Sequence, residues 1–503
     1  MRKEKEDRKL SKNEYVKSIL LFFLHLVVLV AIVAVLLFGD KLGTIGVTLK
    51  NNAANYLYML FCLILLTGIL YVYFLFENPS ILTSGKTITL LFTVMDVYLI
   101  IAVLLGARFH VYARPIALVP LLVFALVGRR EAIFMNTISS LVTFIVDNFS
   151  TAETVANNIY SSLFLSFSAG MIAIFFFNRA RTRFQVVKIG VAVVVPVSIT
   201  IFLLEVVELA SGNSSSITEI SNISRIVENM GFGLFGGAGS VILFLALLPV
   251  FEAIFNCLTV FRIRELTSHD AKLLKELRSK ASGTYNHSTT LAQLAEACAA
   301  SIGEDVDYAR AAALYHDVGK LHQPEYFTEN QWGYNVHDEL TPELSADIVR
   351  SHAQDGYNLI LSSHLPQFLA DIAIQHHGTM PIRYFYAKAM KLTDGELNIE
   401  EFSYLGPKPQ TKLAAIIMIA DAAEAAVRAL KERNPETVEK VVRDIIEERM
   451  DLEQFAECDI TMADLTKIRM TIVGVLTGVY HSRVKYPQIK YKQSSGKTLG
   501  ENK

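Results

Sequence analysis

Charge avoids the first half of this chain, and that constrains its fold more than any other feature. Of the 96 Asp, Glu, Lys and Arg residues, 24 lie between Ile19 and Arg262, and the other 72 share the remaining 259 positions. At 503 residues and 52% hydrophobic, with a mean hydropathy of +0.36, the chain is too apolar for an ordinary soluble protein. The excess falls into runs of about 20 residues, the length a helix needs to cross a hydrocarbon core. Eight runs are expected, near 18–39, 56–77, 87–106, 110–128, 131–149, 157–177, 187–209 and 231–261. The first is too long for a signal peptide and has no small-residue cleavage site after it, so it reads as a signal anchor. The net charge of −2 averages two unlike regions, and no basic patch supports nucleic-acid binding.

Short loops rich in Lys and Arg face the cytoplasm. With a cytoplasmic N-terminus, the inner segments hold the Arg2 to Lys17 cluster, Lys86, Arg129, Arg130, Arg179, Arg181, Arg183, Lys188, Arg262 and Arg264. The outer loops then hold only Lys41, Lys50, Arg108, Arg114 and Arg225. An even number of crossings returns the second half to the cytoplasm, so the expected location is a multi-pass position in the plasma membrane with the lipid bilayer as partner. Asp96 is expected to pair with a neighbouring helix, and Glu205 and Glu208 to approach an interface; the stretch 211–224 reads as a solvated outer loop.

After Leu266 the pattern is helical. Leu266, Leu273, Leu274 and Leu277 are spaced to continue the last span as an amphipathic connector over 263–282. Alanine-rich runs such as YARAAALYHDVG and KLAAIIMIADAAEAAVRAL follow, with few β-branched alternations. The fold class is therefore all-α: a polytopic helical membrane domain (18–262) behind a basic N-terminus (1–17), then the connector, a second all-α domain (283–485) and a polar tail (486–503). Cys62, Cys257, Cys298 and Cys458 show no paired or metal-type spacing, which argues against a disulfide framework or a thiolate zinc site.

Ten of the twelve histidines lie after Arg264. His316-Asp317 ends an apolar helix, with Gly319 and Lys320 behind it, and His376-His377 repeats the arrangement before Gly378. Asp421 is embedded in an apolar helical run, where an unpaired carboxylate is strongly disfavoured. A cation that neutralises the carboxylates and accepts the imidazole lone pairs removes the objection. His269-Asp270 reads instead as an exposed helix start, and His337-Asp338 as a pair that holds a polar loop by hydrogen bonds.

The ordered set His287, His316-Asp317, His352, His376-His377, Asp421 resembles an HD-domain phosphohydrolase with the extra histidines of a two-metal site. Together with GTYNHS, LYHDVGK, YFTENQ, SHAQDG, HHGT, YFYAKA, GPKPQ, IADAAEA and HSRVKYP behind many membrane spans, it resembles the seven-transmembrane HD cyclic-di-AMP phosphodiesterases of bacteria, the PgpH family. The resemblance implies that His287, His316, Asp317 and Asp421 hold one metal and Asp317, His352, His376 and His377 a second, with Asp317 bridging. It implies iron or manganese; ligand type alone also admits zinc. The expected reaction is hydrolysis of cyclic di-AMP to linear pApA, in which a metal-bridging water loses a proton and attacks phosphorus in line with the departing oxygen. Lys320 is placed either to contact a phosphate oxygen or to cap the preceding helix, and Thr379 and Tyr384 to line the pocket. Family members usually carry a large extracellular domain after the first span, where this chain has about 17 residues, and Ser282 and Val336 stand where the family's loops have proline. His377 is followed by Gly378-Thr379, so the HHE signature of cyclic-di-GMP enzymes is absent. The alternatives are an HD phosphohydrolase acting on another nucleotide or cyclic dinucleotide, and an inactive membrane receptor or scaffold. The sequence leaves open a homodimer of HD domains.

Overall fold

The computed structural model describes residues 11–38, 53–150, 152–177, 182–211, 220–392 and 396–479. Most of the basic N-terminus, most of the 17-residue link after the first span, Arg179, Arg181, the HSRVKYP motif with His481, and the tail from 486 lie outside the described residues. What is described is helical, with no strand and one isolated bridge, Pro381 to Ser403. It falls into two compact units, one within Met1–Arg264 and one within Glu265–Lys503.

In the first unit six helices are long and apolar enough to cross a membrane: Lys12–Phe38, Ala53–Glu77, Gly85–Arg108, Ile159–Phe177, Arg183–Ser211 and Ile220–Ile254. Their outward faces carry exposed large apolar side chains, among them Leu20, Phe23, Phe61, Phe76, Phe175 and Ile242. In water such faces would be costly; against lipid they cost nothing. Two of the eight expected spans are not of this kind. The run 110–128 is broken by a turn at Val111–Ala113 and by Pro115, leaving the nine-residue helix Leu118–Leu126. At 1.5 Å per residue it covers less than half of the hydrocarbon thickness. The run 131–149 does form a helix, Arg129–Asp147, but one with a buried polar stripe that includes Glu131, Asn136, Ser139, Ser140 and Thr143. It packs against the short helix as a hairpin.

The last residue of this helix, Asp147, answers Arg114, expected in an outer loop but wholly buried. Its guanidinium grips both carboxylate oxygens of Asp147, at 2.6 and 2.8 Å, and also donates to the Ala102 carbonyl and the Ser162 hydroxyl. Arg225, also assigned to an outer loop, lies in the helix Ile220–Ile254 with its Nε 3.2 Å from Glu205, which also accepts from Asn229 at 2.8 Å. Glu205 is thus buried between two helices rather than at an interface, and residues 220–224 are helical rather than loop. Asp96 is buried, and its Oδ1 has no hydrogen-bond partner among the described residues, so the expected pairing is absent at that atom.

The connector is two short helices, Val260–Leu266 and Lys272–Lys280, separated by turns, rather than one continuous element. Leu273, Leu274 and Leu277 bury one face of the second. The second unit is built on Ser282–Ile302, Val306–Tyr315, Pro342–Ser362, Gln367–Gln375, Arg383–Met390, Lys412–Ala429, Pro435–Asp451 and Met462–Val479. Side-chain caps from Asp305, Thr341, Thr411 and Asn434 start four of these helices. Lys412–Ala429 is the axial element, packed against Ser282–Ile302, Val306–Tyr315, Gln367–Gln375, Pro435–Asp451 and Met462–Val479.

Arg114→Ala leaves the Asp147 carboxylate buried and unpaired, and should cost about 3–5 kcal/mol. Thermal unfolding of the full chain in detergent reads this as a lowered midpoint, and Arg114→Met with Asp147→Leu should recover much of it. Equal losses in the single and double variants would show that the charge pair is not the cause.

Candidate metal centre

Helix ends make the site. Val306–Tyr315 stops at His316-Asp317, and a tight turn, Val318–Leu321, reverses the chain against Pro342–Ser362. Gly319 permits this approach: a Cβ there would lie 1.9 Å from the carbonyl oxygen of His352. Gln367–Gln375 stops at His376-His377, where Gly378 takes φ +52° and a Cβ would clash with Gln454. Ser282–Ile302 supplies His287, and Lys412–Ala429 supplies Asp421.

These elements bring together all seven residues expected to hold metal. Ligand atoms of Asp317, His352, His376 and His377 lie within 4.8 Å of one another, as do those of His287, His316 and Asp421. Asp317 joins the two groups. Its Oδ1 lies 3.3 Å from His352 Nε2 and 3.6 Å from His376 Nε2, while its Oδ2 lies 3.2 Å from His316 Nε2.

Hydrogen bonding on the far side of each ring decides which nitrogen faces inward. Nδ1 of His316 bonds the Ala313 carbonyl at 2.8 Å, that of His376 the Ala373 carbonyl at 2.8 Å, and that of His352 the Val349 carbonyl at 2.5 Å. A carbonyl only accepts, so Nδ1 carries a proton and each ring turns its Nε2 toward Asp317. His352 and His376 Nε2 stand 3.3 Å apart. His316 Nε2 and Asp317 Oδ1 are buried without a hydrogen-bond partner among the described residues. Carboxylate oxygens and imidazole nitrogens crowd together out of water, an arrangement that a divalent cation fits and an apolar core does not.

The electrostatics agree. Burial pulls the His316 imidazolium down, but the Asp317 and Asp421 carboxylates outweigh it and push the group up to about 10. Burial likewise lowers His287, while Asp421 and Glu424 raise it to about 9. Burial would raise both acids, yet Asp317 is held well below the usual carboxylate range by His316 and Lys320, and Asp421 by His287 and His316. Positive charge is drawn to this point from every side.

Lys320 points into the centre, with Nζ 2.7 Å from Asp317 Oδ2, 2.8 Å from Glu329 Oε1 and over the ring of Phe327. Thr379 is tied to Gln454 through its amide at 2.9 Å and its hydroxyl at 2.8 Å. Tyr384 is not brought in: it stands 64% exposed, its ring against Phe385. His269 is exposed beside the Tyr285 hydroxyl, and His337 is buried with Nε2 on the Tyr326 carbonyl, as a loop-holding residue should be. Sequence reasoning missed Glu424, Glu329 and Tyr404. Glu424 reaches His287 Nδ1 at 2.8 Å, Glu329 fixes Lys320, and Tyr404 stacks on His377 with centroids 4.2 Å apart. Only Glu424 left a trace, three positions beyond Asp421 on the same helical face. A cavity of about 540 Å³ borders the centre, lined in part by His287, Asn286, Thr290, Glu329, Glu424 and Arg428.

Two family models match the chain: "7TM receptor with intracellular HD hydrolase" over residues 53–259, and the HD domain over 284–426. Over these residues the chain matches the seven-transmembrane HD family. Among the family's curated members, the cyclic-di-AMP phosphodiesterase PgpH of Bacillus subtilis (strain 168) is 36% identical over 418 residues, covering 83% of this chain and 57% of that protein. PgpH of Listeria monocytogenes serotype 1/2a (strain 10403S) is 44% identical over 279 residues, covering 55% and 38%. The chain thus spans about half the length of these relatives. The crystal structure of the L. monocytogenes PgpH HD domain in complex with cyclic-di-AMP is 47% identical, covering 42% of this chain and 99% of that one, with a TM-score of 0.41. The family's HD domain implies dependence on divalent metal, and its membrane domain a multi-pass membrane protein.

Asp317→Ala removes the carboxylate common to both groups, and metal analysis of the purified full chain should find the bound metal lost. His269→Ala should leave it unchanged. Equal losses would refute the division of the His-Asp pairs into centre and surface.

Proposed function

We propose that this chain is a membrane-anchored, metal-dependent phosphodiesterase that opens cyclic di-AMP to linear pApA. The observation that carries the proposal is one carboxylate, Asp317, turning separate oxygens toward two groups of inward ligand atoms. The family relatives named for this activity support it. His287, His316, Asp317 and Asp421 would hold one metal, and Asp317, His352, His376 and His377 the other, iron or manganese by resemblance to the family. Bound there, two such ions supply an activated water and neutralise charge on the phosphoryl group.

The chain's own side chains do the rest. Asp317 sets the separation of the two positions. Burial works against the Lys320 ammonium, but Asp317 and Glu329 hold it charged, so it presents a fixed cation to a phosphate oxygen. The rings of Phe327 and Tyr404 stand edge-on to His352, and Tyr404 also covers His377; together they keep bulk water from the imidazoles. The Thr379 hydroxyl, held by Gln454, contacts substrate. The domain limits are 18–262 and 283–485, with both the N-terminus and the HD domain cytoplasmic, where a nucleotide messenger is found. Pairing of two HD domains across chains belongs to the same proposal.

The full chain in detergent, loaded with manganese, should convert cyclic di-AMP to pApA faster than it hydrolyses cyclic di-GMP or deoxynucleoside triphosphates. Lys320→Met should lower kcat about 100-fold. A metal-loaded enzyme that leaves cyclic di-AMP intact, or prefers deoxynucleotides, would overturn the assignment.

A further inference from the structure

The imidazole of His287 is held differently from the other rings of the centre. His316, His352 and His376 each place Nδ1 on the carbonyl three residues earlier in their own chain segment. His287 instead places Nδ1 on a side chain from another helix, with Glu424 Oε2 at 2.8 Å. The same helix, Lys412–Ala429, sets Asp421 Oδ1 2.9 Å from the other nitrogen, Nε2. Asp421 and Glu424 are three residues apart on one face, so a single helix flanks one ring with two carboxylates. Glu424 is 2% exposed, a costly place for a carboxylate unless it has a task. Arg428, one turn further on, stands 3.7 Å from its other oxygen, Oε1, leaving Oε2 to the imidazole.

We infer that Glu424 is a positioning residue that selectively strengthens the metal position formed by His287, His316 and Asp421. The inference rests on the two-metal reading above. A carboxylate that accepts the Nδ1 proton fixes the tautomer with its lone pair on Nε2, holds the ring plane against Asp421, and makes the imidazole a stronger donor than a neutral carbonyl would. The His352, His376 and His377 position has no such carboxylate among the described residues and depends on backbone carbonyls at two of its rings. Glu424 acts through His287, whose Nδ1 it meets at 2.8 Å.

The test is equilibrium titration of the metal-free full chain in detergent with Mn²⁺, following the free ion by electron paramagnetic resonance. Wild type should bind two ions. Glu424→Ala should weaken one of them about 10–100-fold and leave the other within about threefold. Glu424→Gln, whose amide oxygen still accepts from Nδ1 but carries no charge, should recover part of the loss. His352→Ala combined with Glu424→Ala should remove both tight ions, which assigns the weakened one to His287. The inference is overturned if Glu424→Ala binds as wild type does, if both ions weaken equally, if Gln and Ala are equivalent, or if wild type binds fewer than two ions. Two tight ions in a wild-type chain that leaves cyclic di-AMP intact would overturn the substrate assignment and leave the role of Glu424 standing.

Discussion

The second unit is organised around a buried carboxylate. Imidazole nitrogens from three directions and the Lys320 ammonium converge on Asp317, and positive charge is what makes that convergence favourable. Every local device around it works to enforce the approach. Gly319 lets a turn press on His352, Gly378 lets the chain reverse behind His377, and backbone carbonyls lock the rings with Nε2 inward. A protein selected for stability alone would put aliphatic side chains in this position and gain by it. The cost is accepted because the site is built for cations.

The membrane unit meets the same difficulty and resolves it internally. Asp147 is as buried as Asp317, but Arg114 answers it with a bidentate grip and also donates to Ala102 and Ser162. That pair is complete, whereas the centre in the second unit leaves His316 Nε2 and Asp317 Oδ1 unsatisfied. The contrast separates a polar cluster that holds helices together from one that awaits a ligand, a distinction burial alone does not make.

What could be read in the sequence follows from how local each signal is. His316-Asp317 and His376-His377 betray themselves because polar pairs at the ends of apolar helices are chemically odd within a few residues. Six spans are legible because hydropathy integrates over a whole helix. Arg114 was not legible: beside Pro115 it has the composition of a loop, and only its distant partner Asp147 shows that it turns inward. The run 131–149 forms its helix, but the polar stripe on it was not legible for the same reason, since it answers residues elsewhere in the bundle. Glu424, Glu329 and Tyr404 act on residues 137, 9 and 27 positions away in sequence, a range that pattern reading does not reach. Tyr384 is the reverse case, close to the double histidine along the chain and exposed in space.

The alanine runs carry more than helix propensity. Ala309, Ala311, Ala312, Ala313, Ala414, Ala415, Ala420 and Ala423 are each fully buried, and they line the helices whose ends and faces carry His316 and Asp421. Interaxial distance depends on the side chains at the contact, and larger residues hold helices toward the upper end of the range of about 8–10 Å. Asp317 and Asp421 have short side chains with little reach, and His287 Nε2 must come within 2.9 Å of one and His316 Nε2 within 3.2 Å of the other. Leucine at these alanine positions would keep the helices and raise their apolar content, yet it would push the ligand-bearing backbones apart. Small residues in this core therefore set the dimensions of the centre, and a sequence pattern that reads as good helix former is at the same time the condition for carboxylates and imidazoles from five helices to meet.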